Sequence, residues 1–215
     1  MIERMGHRAT APPRYAGLVN RLVTSATNYK LAMVSDLGAA LAFFAFGLHQ
    51  FVGARTVAGG VTLLGFLSFG FLEYAVHRWI LHGPHSVARR GHAHHHAEPT
   101  ALVATPLFII VVASLAIWKL LSLACPAGHA ALLVFGLYAG YNYFALFHHW
   151  EHHHRPNVAC GAYWRRLDGL HHVHHQRPGV NFGISTTIWD RVFGTFQPVS
   201  ETTHNVALER HRMAR

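Results

Sequence analysis

Histidine supplies 21 of the 215 residues, although it is not among the common residues of an average protein. Most of these histidines fall into four clusters. The first is His77 and His82, and the second is His92, His94, His95 and His96. The third is His148, His149, His152, His153 and His154, and the fourth is His171, His172, His174 and His175. Neutral imidazole binds iron, zinc, copper and nickel, so the composition points to a histidine-built metal site without selecting the metal. Two cysteines cannot build a disulfide framework or a cysteine-based zinc module.

The spacings sort the candidates. On a helix, positions i, i+3 and i+4 share a face, so His92/His95/His96 and His171/His174/His175 each aim three imidazoles one way. His148 and His152 share a face as an i,i+4 pair. His77 and His82 stand roughly 140° apart on an ideal helix. They therefore either serve different metals or need the turn to loosen before Gly83-Pro84. The remaining members, His94, His149, His153, His154 and His172, are expected outside the ligand set. Glu73, Glu151 and Asp168 lie close in sequence to the clusters. They are candidates to accept a hydrogen bond from the outer nitrogen of a ligand, or are plain helix-surface acids. Isolated histidines such as His7, His49, His129, His204 and His211 read as surface or packing residues.

Elements must carry these clusters to one place, and the composition says which kind. Apolar residues make up 51% of the chain and charged residues 13%, about half the charge of a typical soluble domain. Four segments approach the roughly 20 apolar residues that a membrane span needs: residues 31–51, 57–76, 101–121 and 129–147. Each is apolar all round rather than along one stripe. Short links at 53–60 and 125–128 make two hairpins. Sixteen of the 18 Lys and Arg lie in the N-terminal arm, the central link or the tail, which places both termini and the central link in the cytosol. All four histidine clusters then meet at that face. The expected fold is an all-α integral membrane protein, with four transmembrane helices in two hairpins and a cytosolic helical cap around a dimetal site.

The basic arm, residues 1–30, reads either as an interfacial helix on anionic lipid or as a topogenic charge block. Residues 31–200 form the expected catalytic domain, and 201–215 a tail. No cleavable leader is expected. The high pI follows from the charge asymmetry, and nothing points to nucleic acid.

In this order the clusters read HxxxxH, HxxHH, HxxxH and HxxHH, followed by Asn181-Phe182-Gly183, Trp189-Asp190 and Phe193-Gly194-Thr195. From about Glu73 to Phe196 the chain resembles the fatty acid hydroxylase and sterol desaturase superfamily of membrane di-iron oxygenases. The resemblance implies two iron ions held by His77, His82, His92, His95, His96, His148, His152, His171, His174 and His175, with zinc able to replace iron during purification. It implies O2 as co-substrate, a lipid substrate (fatty acyl, sphingolipid or sterol-like), and hydroxylation of a C–H bond. The chain has no room for the cytochrome b5 domain of some relatives, so a separate donor, cytochrome b5- or ferredoxin-like with a reductase, is expected. The closing NFG…WD…FGT segment reads as structural closure of the cap.

Two other readings stay open. A lipid desaturase or carotenoid hydroxylase would use the same scaffold. A metal-binding or metal-transporting membrane protein would place ionisable ligands near mid-bilayer, whereas these histidines sit at span ends.

Overall fold

The computed structural model describes residues 17, 21–106, 108–153 and 161–199. His154, most of the 1–30 arm and the 201–215 tail therefore lie outside the described residues. All regular structure among the described residues is helical. Helix α1 spans Ala26–Gln50, started by Ser25, whose hydroxyl accepts the Asn28 amide at 3.3 Å. Helix α2 spans Arg55–Ala75 and runs straight into a six-residue π segment, Val76–Leu81. Then follow α3 (Val87–Ala97), α4 (Ile109–Leu121), α5 (Ala127–His153), α6 (Gly161–Gln176) and α7 (Ile188–Val192).

Three helical stretches are long and apolar enough to cross a membrane: Ala26–Gln50, Arg55–Leu81 and Ala127–His153. Their outward faces carry large apolar side chains; Val34 is 70% and Leu67 62% exposed. Such patches fit lipid rather than water. The segment expected to cross at 101–121 differs. Among its described residues it is helical only over the 13 residues of α4, about 20 Å at 1.5 Å per residue, short of the roughly 30 Å hydrocarbon core. The reason is local. Pro106 lacks an amide hydrogen and holds the residue before it away from helical geometry. The preceding strip instead docks on the start of α1: the Ala104 amide donates to the Val23 carbonyl at 2.9 Å, and the Asn28 side-chain amide to the Thr105 carbonyl at 3.0 Å.

Helix α5 is the axis, packed on both α1 and α2. Along α2 it comes close enough for backbones to touch. A Cβ at Gly65 would lie 2.1 Å from the Leu133 carbonyl oxygen, and one at Gly136 would lie 2.1 Å from that of Thr62. Small residues permit this approach where lipid offers no hydrophobic drive to association. Gly136→Leu is therefore expected to force α2 and α5 apart and cost about 2 kcal/mol or more. Gly38, with nothing within 4 Å of its Cβ position, should accept leucine. Thermal unfolding in detergent compares the two, and equal midpoints would refute this packing.

The close α2–α5 contact has a functional consequence. It brings the ends of these helices, His77 on one and His148 and His152 on the other, to the same end of the bundle. There α3 and α6 lay their own histidines across them.

Candidate metal centre

The ten histidines singled out by spacing come together in two groups of five. One holds His77, His82, His92, His96 and His174; the other holds His95, His148, His152, His171 and His175. Within each, the ligand atoms all lie within 4.8 Å of one another.

Each element contributes in its own way. The π segment resolves the awkward spacing of the first pair. The His82 amide donates to the His77 carbonyl at 3.0 Å, an i→i+5 bond. This wide turn brings the two rings to 5.1 Å between centroids, so both serve one group. Helix α5 gives His148 and His152 to the other group. The two His-x-x-His-His triplets do not act as units, contrary to the expected common aim. Helix α3 lies between the groups, sending His92 and His96 to one and His95 to the other. Helix α6 sends His171 and His175 to one and His174 to the other. The i,i+4 pair stays together, and the intervening i+3 residue, roughly 60° round the helix from the first, crosses to the neighbour. The groups adjoin where the His96 and His175 rings stand 4.3 Å apart.

The contacts inside each group are not an ordinary hydrogen-bond network. His92 Nε2 lies 3.0 Å from His77 Nε2, 2.9 Å from His82 Nε2 and 3.0 Å from His96 Nε2. A ring nitrogen carries one hydrogen or one lone pair, so it can satisfy only one of these three. In the second group His152 Nε2 lies 3.2 Å from His148 Nε2 and 2.9 Å from His171 Nε2. His95 Nε2 is buried without a hydrogen-bond partner among the described residues. Two nitrogens about 2.1 Å from one ion, at right angles, stand about 3.0 Å apart. The donor sets therefore fit a cation each.

Electrostatics agree. Burial, followed by the neighbouring imidazoles, lowers His82 to about 4 and His95 to about 3. Burial also takes His174 to about 3, against the opposing bond to Val180. His92, His171 and His175 are held well below the usual histidine value by the same burial. All stay neutral at physiological pH, the form that binds metal. Two outer nitrogens are fixed by backbone: His77 Nδ1 donates to the Phe182 carbonyl at 2.5 Å and His174 Nδ1 to the Val180 carbonyl at 2.7 Å.

The expected outer residues fall outside both groups. His94 is exposed. His149 bonds the Tyr29 hydroxyl at 2.7 Å and stacks on His153. His172 Nδ1 donates to the Asp168 carbonyl at 2.9 Å and lies 3.6 Å from its carboxylate. Glu151 is buried beside His152. Glu73, read from sequence either as an acceptor for an imidazole or as a plain helix-surface acid, is neither: it is buried and accepts the Ile184 and Ser185 amides. Spacing alone did not reveal the carbonyls of Val180 and Phe182, because a backbone acceptor leaves no residue-type signature. The nearby NFG motif is the only sequence signal for them.

The pattern that defines the family described as fatty acid hydroxylase matches residues 62–195, which include all ten histidines. The chain belongs to that family. Within it, the chain is similar to the dihydroceramide fatty acyl 2-hydroxylase FAH2 of Arabidopsis thaliana, 27% identical over 146 residues, covering 64% of this chain and 60% of the relative. It is 29% identical to the fatty acid 2-hydroxylase of Rattus norvegicus over 162 residues, covering 70% of this chain and 43% of the relative. The chain thus spans between two fifths and three fifths of these relatives. The structure of full-length scs7p, of which only the hydroxylase domain is visible, superimposes with a TM-score of 0.66 at 21% identity, covering 84% of this chain and 71% of that one. The likeness is one of fold. As a fatty acid hydroxylase family member, the chain carries its histidine series partly at the ends of two helices of membrane-crossing length, His77 on one and His148 and His152 on the other, and partly on the shorter α3 and α6.

Proposed function

We propose that this chain is a membrane di-iron oxygenase that hydroxylates a fatty acyl C–H bond, free or as part of a ceramide. The observation that carries the reading is the convergence of ten imidazoles into two adjoining groups at one end of apolar helices. When bound, a pair of iron ions supplies reductive activation of O2 and hydrogen abstraction from an unactivated C–H bond. One oxygen atom enters that bond and the other leaves as water, which consumes two electrons from a separate donor protein and two protons from solvent.

The chain's own part is positional. The ten histidines hold the metal pair. The π segment, α3, the end of α5 and α6 hold the histidines rigid. The apolar faces of α1 and α2 let an acyl chain approach from the bilayer while its head group stays at the interface. In this reading both termini and the histidine end face the cytosol, and α4 lies within the membrane beside α5. The names of the similar proteins favour the carbon next to the acyl carbonyl.

The test is lipid mass spectrometry of cells with and without the chain, supplied with a matching electron donor. Acyl lipids are expected to gain one oxygen in the presence of the chain. Loss of two hydrogens instead would make it a desaturase, and an unchanged lipid profile in cells whose purified protein retains both metals would overturn the reading.

A further inference from the structure

The carbonyls that hold His77 and His174 belong to one turn, residues 180–185, and that turn is gripped by two buried acids. Glu73 sits on α2, one helical turn before His77. Its Oε1 accepts the Ile184 amide at 2.5 Å and the Ser185 amide at 3.0 Å, while Oε2 accepts the Ser185 hydroxyl. Asp190, in α7, grips the other side. Its Oδ1 accepts the Phe182 amide at 2.8 Å and the Thr195 hydroxyl at 2.7 Å, and its Oδ2 accepts the Gly183 amide at 2.8 Å. Glu73 is 5% exposed and Asp190 1%, so these bonds are shielded from water.

The fit is tight. A Cβ on Gly183 would lie 2.1 Å from the Thr186 carbonyl oxygen and 2.9 Å from Asp190 Oδ2. Asn181, held at φ 52°, fastens the same strip to Gln197 through bonds in both directions, each 2.8 Å. Four consecutive amides, 182 to 185, thus end on two carboxylates. The carbonyls of this strip face the metal end, where Phe182 accepts from His77 and Val180 from His174. Among the described residues the turn reaches only the first group; the outer nitrogens of His171 and His175 in the second, like that of His96 in the first, are buried there without a hydrogen-bond partner.

We propose that Glu73 and Asp190 are positioning residues for one metal of the pair. They lock the 180–185 turn so that its carbonyls aim His77 and His174 into the group completed by His82, His92 and His96. The proposal rests on the ten-histidine reading above. It ties the first of the two centres, through His77 and His174, to a carboxylate-clamped turn.

The experiment uses the full chain in detergent, loaded with zinc, with release to excess chelator followed over time. The unsubstituted protein is expected to hold two zinc ions per chain and release them in two phases. Asp190→Asn should speed one phase by about 10-fold or more, the scale on which support residues act on metal affinity, and leave the other phase unchanged. After dialysis it should retain one zinc ion. Leu132→Ala, a truncation of a buried side chain near the start of α5, at the end remote from the histidines, destabilises the bundle away from the turn and should keep both phases. Ser185→Ala removes only the hydroxyl on Glu73 and should speed the same phase by a smaller factor. If Asp190→Asn fails to fold, Ser185→Ala decides. Unchanged release, or equal acceleration of both phases, would overturn the clamp. Unsubstituted protein that binds no zinc would overturn the metal reading itself, and the clamp with it.

Discussion

His92→Ala is expected to abolish lipid hydroxylation and to lower the metal content of the purified protein, whereas His94→Ala, two residues away on the same helix, is expected to retain measurable product. The difference lies in what each ring meets. His92 Nε2 is within 3.0 Å of three other ring nitrogens, so its loss removes the hub of its group. His94 faces outward and is exposed. Loss of a ligand should exceed the roughly 10–100-fold that removal of an outer-shell residue costs, and His94→Ala should stay within that bound. In the second group, His171→Ala against His172→Ala offers the same comparison. His171 touches His152 Nε2 at 2.9 Å, while His172 bonds its own helix at Asp168. Oxygenated lipid per cell and metal per chain are the two measurements. Equal loss from His92→Ala and His94→Ala would mean that the metal end is not built as described.

That comparison could be framed from spacing, because 100° per residue already separates His94 from His92 and His172 from His171. The ten ligand candidates were legible for the same reason, since imidazole is the only side chain here abundant enough to build such a site. The division of each triplet between two centres was not legible. A helix face roughly 60° wide reads as one direction until two targets are known to flank it, as they flank α3 and α6. Hydropathy found the long helices but overextended the stretch at 101–121. There the bonds from Ala104 to Val23 and from Asn28 to Thr105 offer the backbone partners outside a helix, and no window average sees them. For Glu73 the spacing left open an imidazole's acceptor or a plain helix-surface acid. This acid supports a carbonyl rather than an imidazole, a distinction made by chain segments more than 100 residues apart.

Gly83→Ala is expected to cost one metal ion and the hydroxylase activity together, although Gly83 touches no ligand side chain. Its role is to end the π segment. A Cβ at this position would lie 1.9 Å from the Trp79 carbonyl oxygen and 2.7 Å from its carbon. These are backbone atoms inside the turn, with no flexible tip to swing away, so the turn itself must move. The bond at risk is the one from the His82 amide to the His77 carbonyl, which sets the two rings side by side. If the segment relaxes to an ordinary helix, His82 swings to roughly 140° from His77 and leaves the group that also holds His92, His96 and His174. A π turn is rare and usually kept for function, and here it converts an unsuitable spacing into a usable pair of ligands. Gly179 serves as the control, because its Cβ position has nothing within 4 Å and Gly179→Ala should leave metal and product unaltered. Metal analysis of the two variants, alongside their oxygenated lipid in cells, checks the argument. A Gly83→Ala protein that keeps both metals and full product would show that the π turn does not position His82.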